Sequence, residues 1–416
     1  MVLAQTSSVW DVKIVDSTGD VGRANSLAVD QDNNPHIAYY DQSKGDLRYV
    51  VWTSAGWASQ IVDSIGDVGS YLSLALDSEG NAHISYYDQT NGDLKYAVYA
   101  GSSWSIQTVD SDGNVGWFNS IAVDLVGNPH ISYFDYTHKA LKYASSWNGD
   151  PWLIETVDYG QGTAGYGTSI AVDQNGSPRI GYNQNYKGDL MYAKKTGSTW
   201  ATETVDTGGT TDVVGRYPSL ALDSQGNPQI SYYDSTNDDL KYASFSGSGW
   251  DVQTVDSAGK VGSYGTSIVL YSLGNPGIGY YDETNGNLKY ANWTDNGWVF
   301  QVVDSAGVSG MYPSVDLDSS YDLKITYYDA ANADLKIAQL IQLTPSPSPS
   351  PSAIPSTSPS TNPISSPTLS PTITPTSELE PQQTASFPFE YIFAIVVIIL
   401  LSIIASLVVI LKKKKR

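Results

Sequence analysis

The sequence contains no cysteine. Disulfides, thiolate metal sites and cysteine nucleophiles are therefore excluded. Methionine occurs 3 times and histidine 4 times in 416 residues, and charged residues make up only 16%. That is too little charge for long helices with solvated polar faces. Basic residues are scarcest: 22 against 43 acidic ones, a net charge of −21. Five of the basic residues are the run Lys412 to Arg416, and removing that run from −21 leaves residues 1–411 at −26. A surface this acidic repels phosphate backbones, so nucleic acid is not an expected partner. What the chain has in quantity is glycine (37), tyrosine (30) and tryptophan (11). Tyr and Trp suit pleated, half-buried strands, and Gly supplies the positive φ of tight turns. The expected class is all-β.

Residues 344–376 are almost entirely Pro, Ser and Thr. Such a stretch cannot bury enough apolar area to offset ordering entropy, so residues 344–390 read as a disordered stalk with hydroxyls for O-glycans. Tyr391 to Leu411 are 21 uncharged residues. At 1.5 Å per residue they span about 31 Å, the thickness of a hydrocarbon core, and so read as one transmembrane helix in the lipid bilayer. The basic residues 412–416 that follow set a cytoplasmic C-terminus and place the rest of the chain outside. Export requires a leader, and residues 1–9, with Val2-Leu3-Ala4 before Gln5, read as a signal-peptide remnant. On the outer side, Asn175-Gly176-Ser177 and Asn292-Trp293-Thr294 are N-glycosylation sequons.

Between leader and stalk, residues 10–343, a Val-Asp pair recurs with its aspartate at Asp16, Asp63, Asp110, Asp158, Asp206, Asp256 and Asp304, at intervals of 47 to 50 residues. A period of 40–50 with several short strands per unit indicates propeller blades. In one unit, Ser73–Asp77 reads as the inner strand, His83–Asp88 and Leu94–Tyr99 as the next two, and Trp104–Asp110 as the outer one, with Asn91-Gly92 as a hairpin turn. The Trp strand and its three partners each occur seven times, but the first Trp strand, from Trp10, has no partners before it and the last three-strand set, through Ala338, has no Trp strand after it. Pairing these two ends removes both open edges. The expected fold is thus a seven-bladed β-propeller of four-stranded antiparallel blades, closed by the N-terminal strand.

The turns Asp77-Ser78-Glu79-Gly80-Asn81 and Asp223-Ser224-Gln225-Gly226-Asn227, each leading into a strand, resemble those of bacterial and archaeal surface β-propellers near the SBBP and NHL-type repeat groups. The stalk, single span and basic end are similar to surface-layer-associated proteins of methanogenic and related archaea. The resemblance implies a displayed binding or adhesion module without defined chemistry.

Aromatic residues sit two or three places before the inner-strand serine in six of the units: Tyr71, Trp117 with Phe118, Tyr166, Tyr217, Tyr264 and Tyr312. Beside carboxylates and amides on one face of a ring, they are the ingredients of a sugar site; the alternative is that they fill the gaps between blades. Arg23 and Arg216 share one repeat position, which leaves a two-arginine site open and, with it, a sialidase-like glycosidase. The preferred reading is a non-enzymatic module that binds an extracellular glycan or protein. His36, His83 and His130 recur at a spacing of 47; equivalent positions diverge around a ring, so a strand-start role is preferred over metal ligation. Asp16, Asp20, Asp110 and Asp112 partly echo calcium loops, but no Glu follows at the spacing of a full EF-hand, and Asx-turns are the preferred account. No cofactor is therefore expected unless it is calcium, which would make the chain a stabilised envelope spacer.

Overall fold

The computed structural model describes residues 8–159, 163–184, 188–208 and 213–342. Within them 28 strands form seven four-stranded antiparallel sheets, and no helix occurs among the described residues. Blade one is β2 (Val21–Val29), β3 (Pro35–Asp41), β4 (Asp46–Thr53) and β5 (Gly56–Asp63) in sequence order. Blades two to six repeat that order. Blade seven is built from β26 (Ser309–Leu317), β27 (Leu323–Asp329) and β28 (Asp334–Gln342), and its outer strand is β1 (Ser8–Asp16). The register of β1 against β28 runs from Ser8 opposite Gln342 to Asp16 opposite Leu335. The chain is a closed seven-bladed β-propeller. Ser8 and Val9 belong to β1, so the strand reaches into the segment read as leader. The stalk, the span at 391–411 and the basic end lie outside the described residues.

Blades stack through both faces, and so the second strand of a blade is buried along its whole length; every residue of Ala82–Asp88 is covered. This explains why Ile84 and Tyr86 on one face and His83 and Tyr87 on the other are all large. Three tiers of contact join each blade to the next. Innermost, the serine of one inner strand accepts a backbone N–H from the following blade: Leu74 N to Ser26 Oγ (3.0 Å), Ile121 N to Ser73 Oγ (3.2 Å), and so on round to Leu27 N on Ser314 Oγ (3.0 Å). All seven bonds are made, each worth about 1 kcal/mol net.

In the middle tier, the Val-Asp carboxylate at the end of each outer strand accepts the hydroxyl of a buried tyrosine in the following blade at 2.6–2.8 Å, as Asp63 does from Tyr86. In several blades a lysine of the same following blade joins it, as Lys95 joins Asp63 at 2.5 Å. Outermost, at six of the seven seams an indole packs edge-on against a tyrosine of the preceding blade, for example Trp104 on Tyr49 at 5.1 Å with its Nε1 donating to Gln60 Oε1 at 2.9 Å. Between blades seven and one, Ile337 stands in the tyrosine position.

Candidate functional site

The inner strands are longer than the sequence pattern indicates. In blade two the strand spans Val68–Leu76 rather than beginning at Ser73, so the aromatic segment belongs to the strand and not to a loop. The pairing slips between Ser70 and Ser73, and the corresponding slip occurs in all seven inner strands. At this bulge Tyr71, Phe118 and Tyr217 (φ 51), Tyr312 (φ 55) and Tyr264 (φ 59) adopt left-handed backbone conformations. For bulky side chains that conformation is strained by about 1–2 kcal/mol each. Glycine fits it freely, and blade four does carry Gly167 there (φ 91).

The five rings surround a hollow on the ring axis of about 570 Å³, with walls from every blade. The bulge also decides which aromatics reach it. Residues two places before the serine face the axis, as does Tyr264, three places before Ser267 because blade six holds one extra residue. Trp117, Tyr166 and Arg216, three places before their serines, do not line the hollow. Trp117 lies instead near-parallel to both Tyr71 (5.6 Å, 24°) and Tyr136 (4.9 Å, 24°), and its Nε1 donates to Asn114 Oδ1. Tyr136 is capped in turn by Lys139 Nζ, 3.4 Å from its ring centre. Trp117 therefore has neighbours on its faces already. Tyr166 packs on Phe118 (4.6 Å) and Phe134 (6.0 Å). Arg216 keeps its Nε buried without a hydrogen-bond partner among the described residues and, unlike Arg23, does not line the hollow, so the hollow does not bring the two arginines together.

The hydroxyls of Tyr71, Tyr217, Tyr264 and Tyr312 donate to no described residue. By contrast, the framework tyrosines that meet the Val-Asp carboxylates are all engaged. Burial, reinforced by the neighbouring tyrosines, pushes the Tyr71 hydroxyl up to about 12. It is therefore neutral and able both to donate and to accept. Asn25, Thr168 and Thr266, also on the wall, are committed to backbone carbonyls of the preceding blade: Tyr312, Phe118 and Tyr217 respectively.

Polar groups concentrate on blades one and two. Asp67 accepts from Tyr40 Oη (2.6 Å) and Gln89 Nε2 (3.0 Å), and burial together with that carboxylate raises the Tyr40 hydroxyl above its ordinary range. Arg23 pairs with Asp20 through Nε (3.0 and 3.1 Å) and Nη2 (2.9 Å). The carboxamide of Gln42 has no partner among the described residues. On the other side of the axis the wall is Gly167, Pro218, Gly265 and Pro313 between the aromatic rings.

The remaining candidates lie in the framework. Each of His36, His83 and His130 is buried with Nδ1 2.5–2.6 Å from a tyrosine hydroxyl and Nε2 3.1–3.5 Å from a turn aspartate. Burial holds all three imidazoles below their ordinary pKa. Asp16 and Asp110 form Asx-turns, accepting from Thr18 N and Asp112 N, while their other oxygens accept from Tyr39 and Tyr133. Asn175 is exposed in its turn and Asn292 is half-buried on its strand.

No protein-family model and no curated protein matches this chain. Among solved structures, a protein of unknown function from Dyadobacter fermentans is similar at 10% identity, over 82% of this chain and 100% of that one, with a TM-score of 0.52. That likeness shows the propeller fold. The Aleuria aurantia lectin in complex with a fucosyl-GlcNAc ligand is similar over 66% of this chain and 94% of that one (11% identity, TM-score 0.46). The NanB sialidase of Streptococcus pneumoniae is similar over 80% and 70% (12% identity, TM-score 0.43).

Proposed function

We propose that the chain is a membrane-anchored surface propeller that binds a saccharide in the axial hollow without transforming it. The observation that supports this reading is the ring of five strained aromatics, four of them tyrosines whose hydroxyls are unengaged among the described residues. Strain repeated at one position around the ring, where glycine would relieve it, is compatible with retention of the rings for contact. Pyranoses present an apolar C–H face and peripheral hydroxyls, and aromatic rings with unengaged phenols answer both. A hollow of 570 Å³ matches a small-molecule site better than a flat protein interface.

Hydrolysis of a glycoside ordinarily uses two carboxyl groups roughly 5–9.5 Å apart. Asp67 is the one carboxylate on the described wall, and it already accepts from Tyr40 and Gln89. The anchor rests on the sequence of residues 391–411. Titration of the full chain against a glycan panel tests the binding: saturable heat that disappears in Tyr217→Ala and Tyr312→Ala supports the reading, and no heat from any saccharide refutes it. Protease added to intact cells tests display, with release of a fragment ending in the stalk expected and full protection the contrary result.

A further inference from the structure

We infer that the axial hollow holds one uncharged sugar unit per chain and rejects acidic sugars; this rests on the saccharide reading above. The charge inventory comes first. Arg23 is the cation on the wall, and Asp20 occupies its Nε and Nη2 at 2.9–3.1 Å. Asp67 adds a second carboxylate whose neighbours, Tyr40 and Gln89, are neutral donors. Arg23, Asp20 and Asp67 together therefore leave the site with one net negative charge, in a chain that is itself −21. A ligand carboxylate would enter beside Asp67 with no unpaired cation to receive it, and like charges at such range oppose binding. An uncharged polyol meets the same groups favourably: its hydroxyls donate to Asp67 and exchange hydrogen bonds with the Gln42 carboxamide.

Stoichiometry follows from broken symmetry. The repeat position of Asp67 is occupied by Asn114, Val213, Lys260 and Val308 in blades three, five, six and seven, and that of Gln42 and Gln89 by Tyr136, Ser235, Glu283 and Ala330. Only blades one and two pair an aspartate with a glutamine at these positions. In a ring of seven, the side facing blade two lies between blades five and six, where Tyr217, Pro218, Tyr264 and Gly265 form an aromatic and apolar wall. One ligand thus has one orientation, hydroxyls toward Asp67 and apolar face toward Tyr217 and Tyr264, instead of seven equivalent places.

The test is calorimetry on the full chain with methyl glycosides of neutral hexoses and N-acetylhexosamines, set against N-acetylneuraminic and glucuronic acids. Neutral ligands should bind with a stoichiometry of one, and the acids at least tenfold more weakly. Gln42→Ala, at an exposed position without partners, should weaken neutral sugars several-fold with an unchanged melting curve. Asp67→Asn should narrow the gap between acidic and neutral ligands. Acids that bind as tightly as neutral sugars, or a stoichiometry of two or more, overturn the inference while leaving axial saccharide binding intact. If neither class binds, the saccharide reading itself falls, and the inference with it.

Discussion

Trp10 Nε1 donates to Gln301 Oε1 across 3.0 Å, although 291 residues separate the two. The same indole sits edge-on to Tyr290 at 5.9 Å. Both partners belong to blade six, while Trp10 is carried by the one strand of blade seven drawn from the other end of the chain. Truncating this aromatic should cost about 3 kcal/mol, and deleting residues 1–16 more, since β28 would lose its whole neighbour. Thermal melts of Trp10→Ala and of the deletion check this; an unchanged midpoint in the deletion would contradict closure.

Ser314→Ala should destabilise by about 1–2 kcal/mol, because it removes the acceptor for Leu27 N at the seam between blades seven and one. Ser103→Ala, in an exposed turn, should change stability by less than 0.5 kcal/mol. Urea denaturation of the two variants gives the comparison.

Tyr217 lies at φ 51. Glycine relieves that conformation and alanine does not, so Tyr217→Gly should be about 1 kcal/mol more stable than Tyr217→Ala while both lose the ligand. Equal stability of the two variants would argue against backbone strain at the bulge.

Trp117→Ala and Phe118→Ala should separate packing from binding. Trp117, flanked by Tyr71 and Tyr136, should cost about 3 kcal/mol of stability with little change in affinity of the folded protein. Phe118, on the wall of the hollow, should cost at least about 2 kcal/mol of affinity, roughly 25-fold. Melting temperature and affinity measured on each variant decide the assignment.

The response to pH has two opposed parts. Asp316 occupies a position where most blades have alanine, accepts Val29 N at 2.8 Å, and is pushed by burial from 3.8 up to about 6. Its folded form binds the proton more tightly, so this group adds stability as pH falls from about 6 toward 4. Asp63 and Asp256 are also opposed by burial, but the bonds from Lys95 and Lys289 prevail and hold them below 3.8. Their contribution is present above about 4 and is lost as pH falls through their folded values. Asp316→Ala should flatten the slope between pH 4 and 6 and leave the acid collapse in place, as read from melts across the range.

Blade number, strand order and closure were legible because one period repeats seven times and the tyrosine and tryptophan positions repeat with it. The serine tier was legible too, since Ser26, Ser73, Ser120, Ser169, Ser219, Ser267 and Ser314 stand in every copy; what periodicity could not supply was that each accepts from the blade beyond. The site was harder. Trp117 and Phe118 are adjacent, and only the bulge decides that the second faces the axis. The polar wall was invisible for a different reason: Asp67 and Gln89 lie 22 positions apart in two turns of ordinary composition. Blade four shows how a departure can be read in pairs, for Gln184 stands where other blades have aspartate and Met191 where they have lysine or arginine. Both members of one ion pair are lost together, while Tyr182 still donates to Asp158.

The seam at Ser8 and Gln342 also sets an order of events. Of the described strands, β1 is synthesised first and finds its neighbour last, because β28 appears only when the other six blades are complete. Until then β1 offers Val9, Val12 and Ile14 and an unpaired backbone edge to any acceptor. An open ring from a second molecule presents the same vacant place beside its own β28, and a strand lent across would satisfy both partners. Crowded refolding therefore favours exchanged dimers, whereas dilution gives a chain the time to clasp itself.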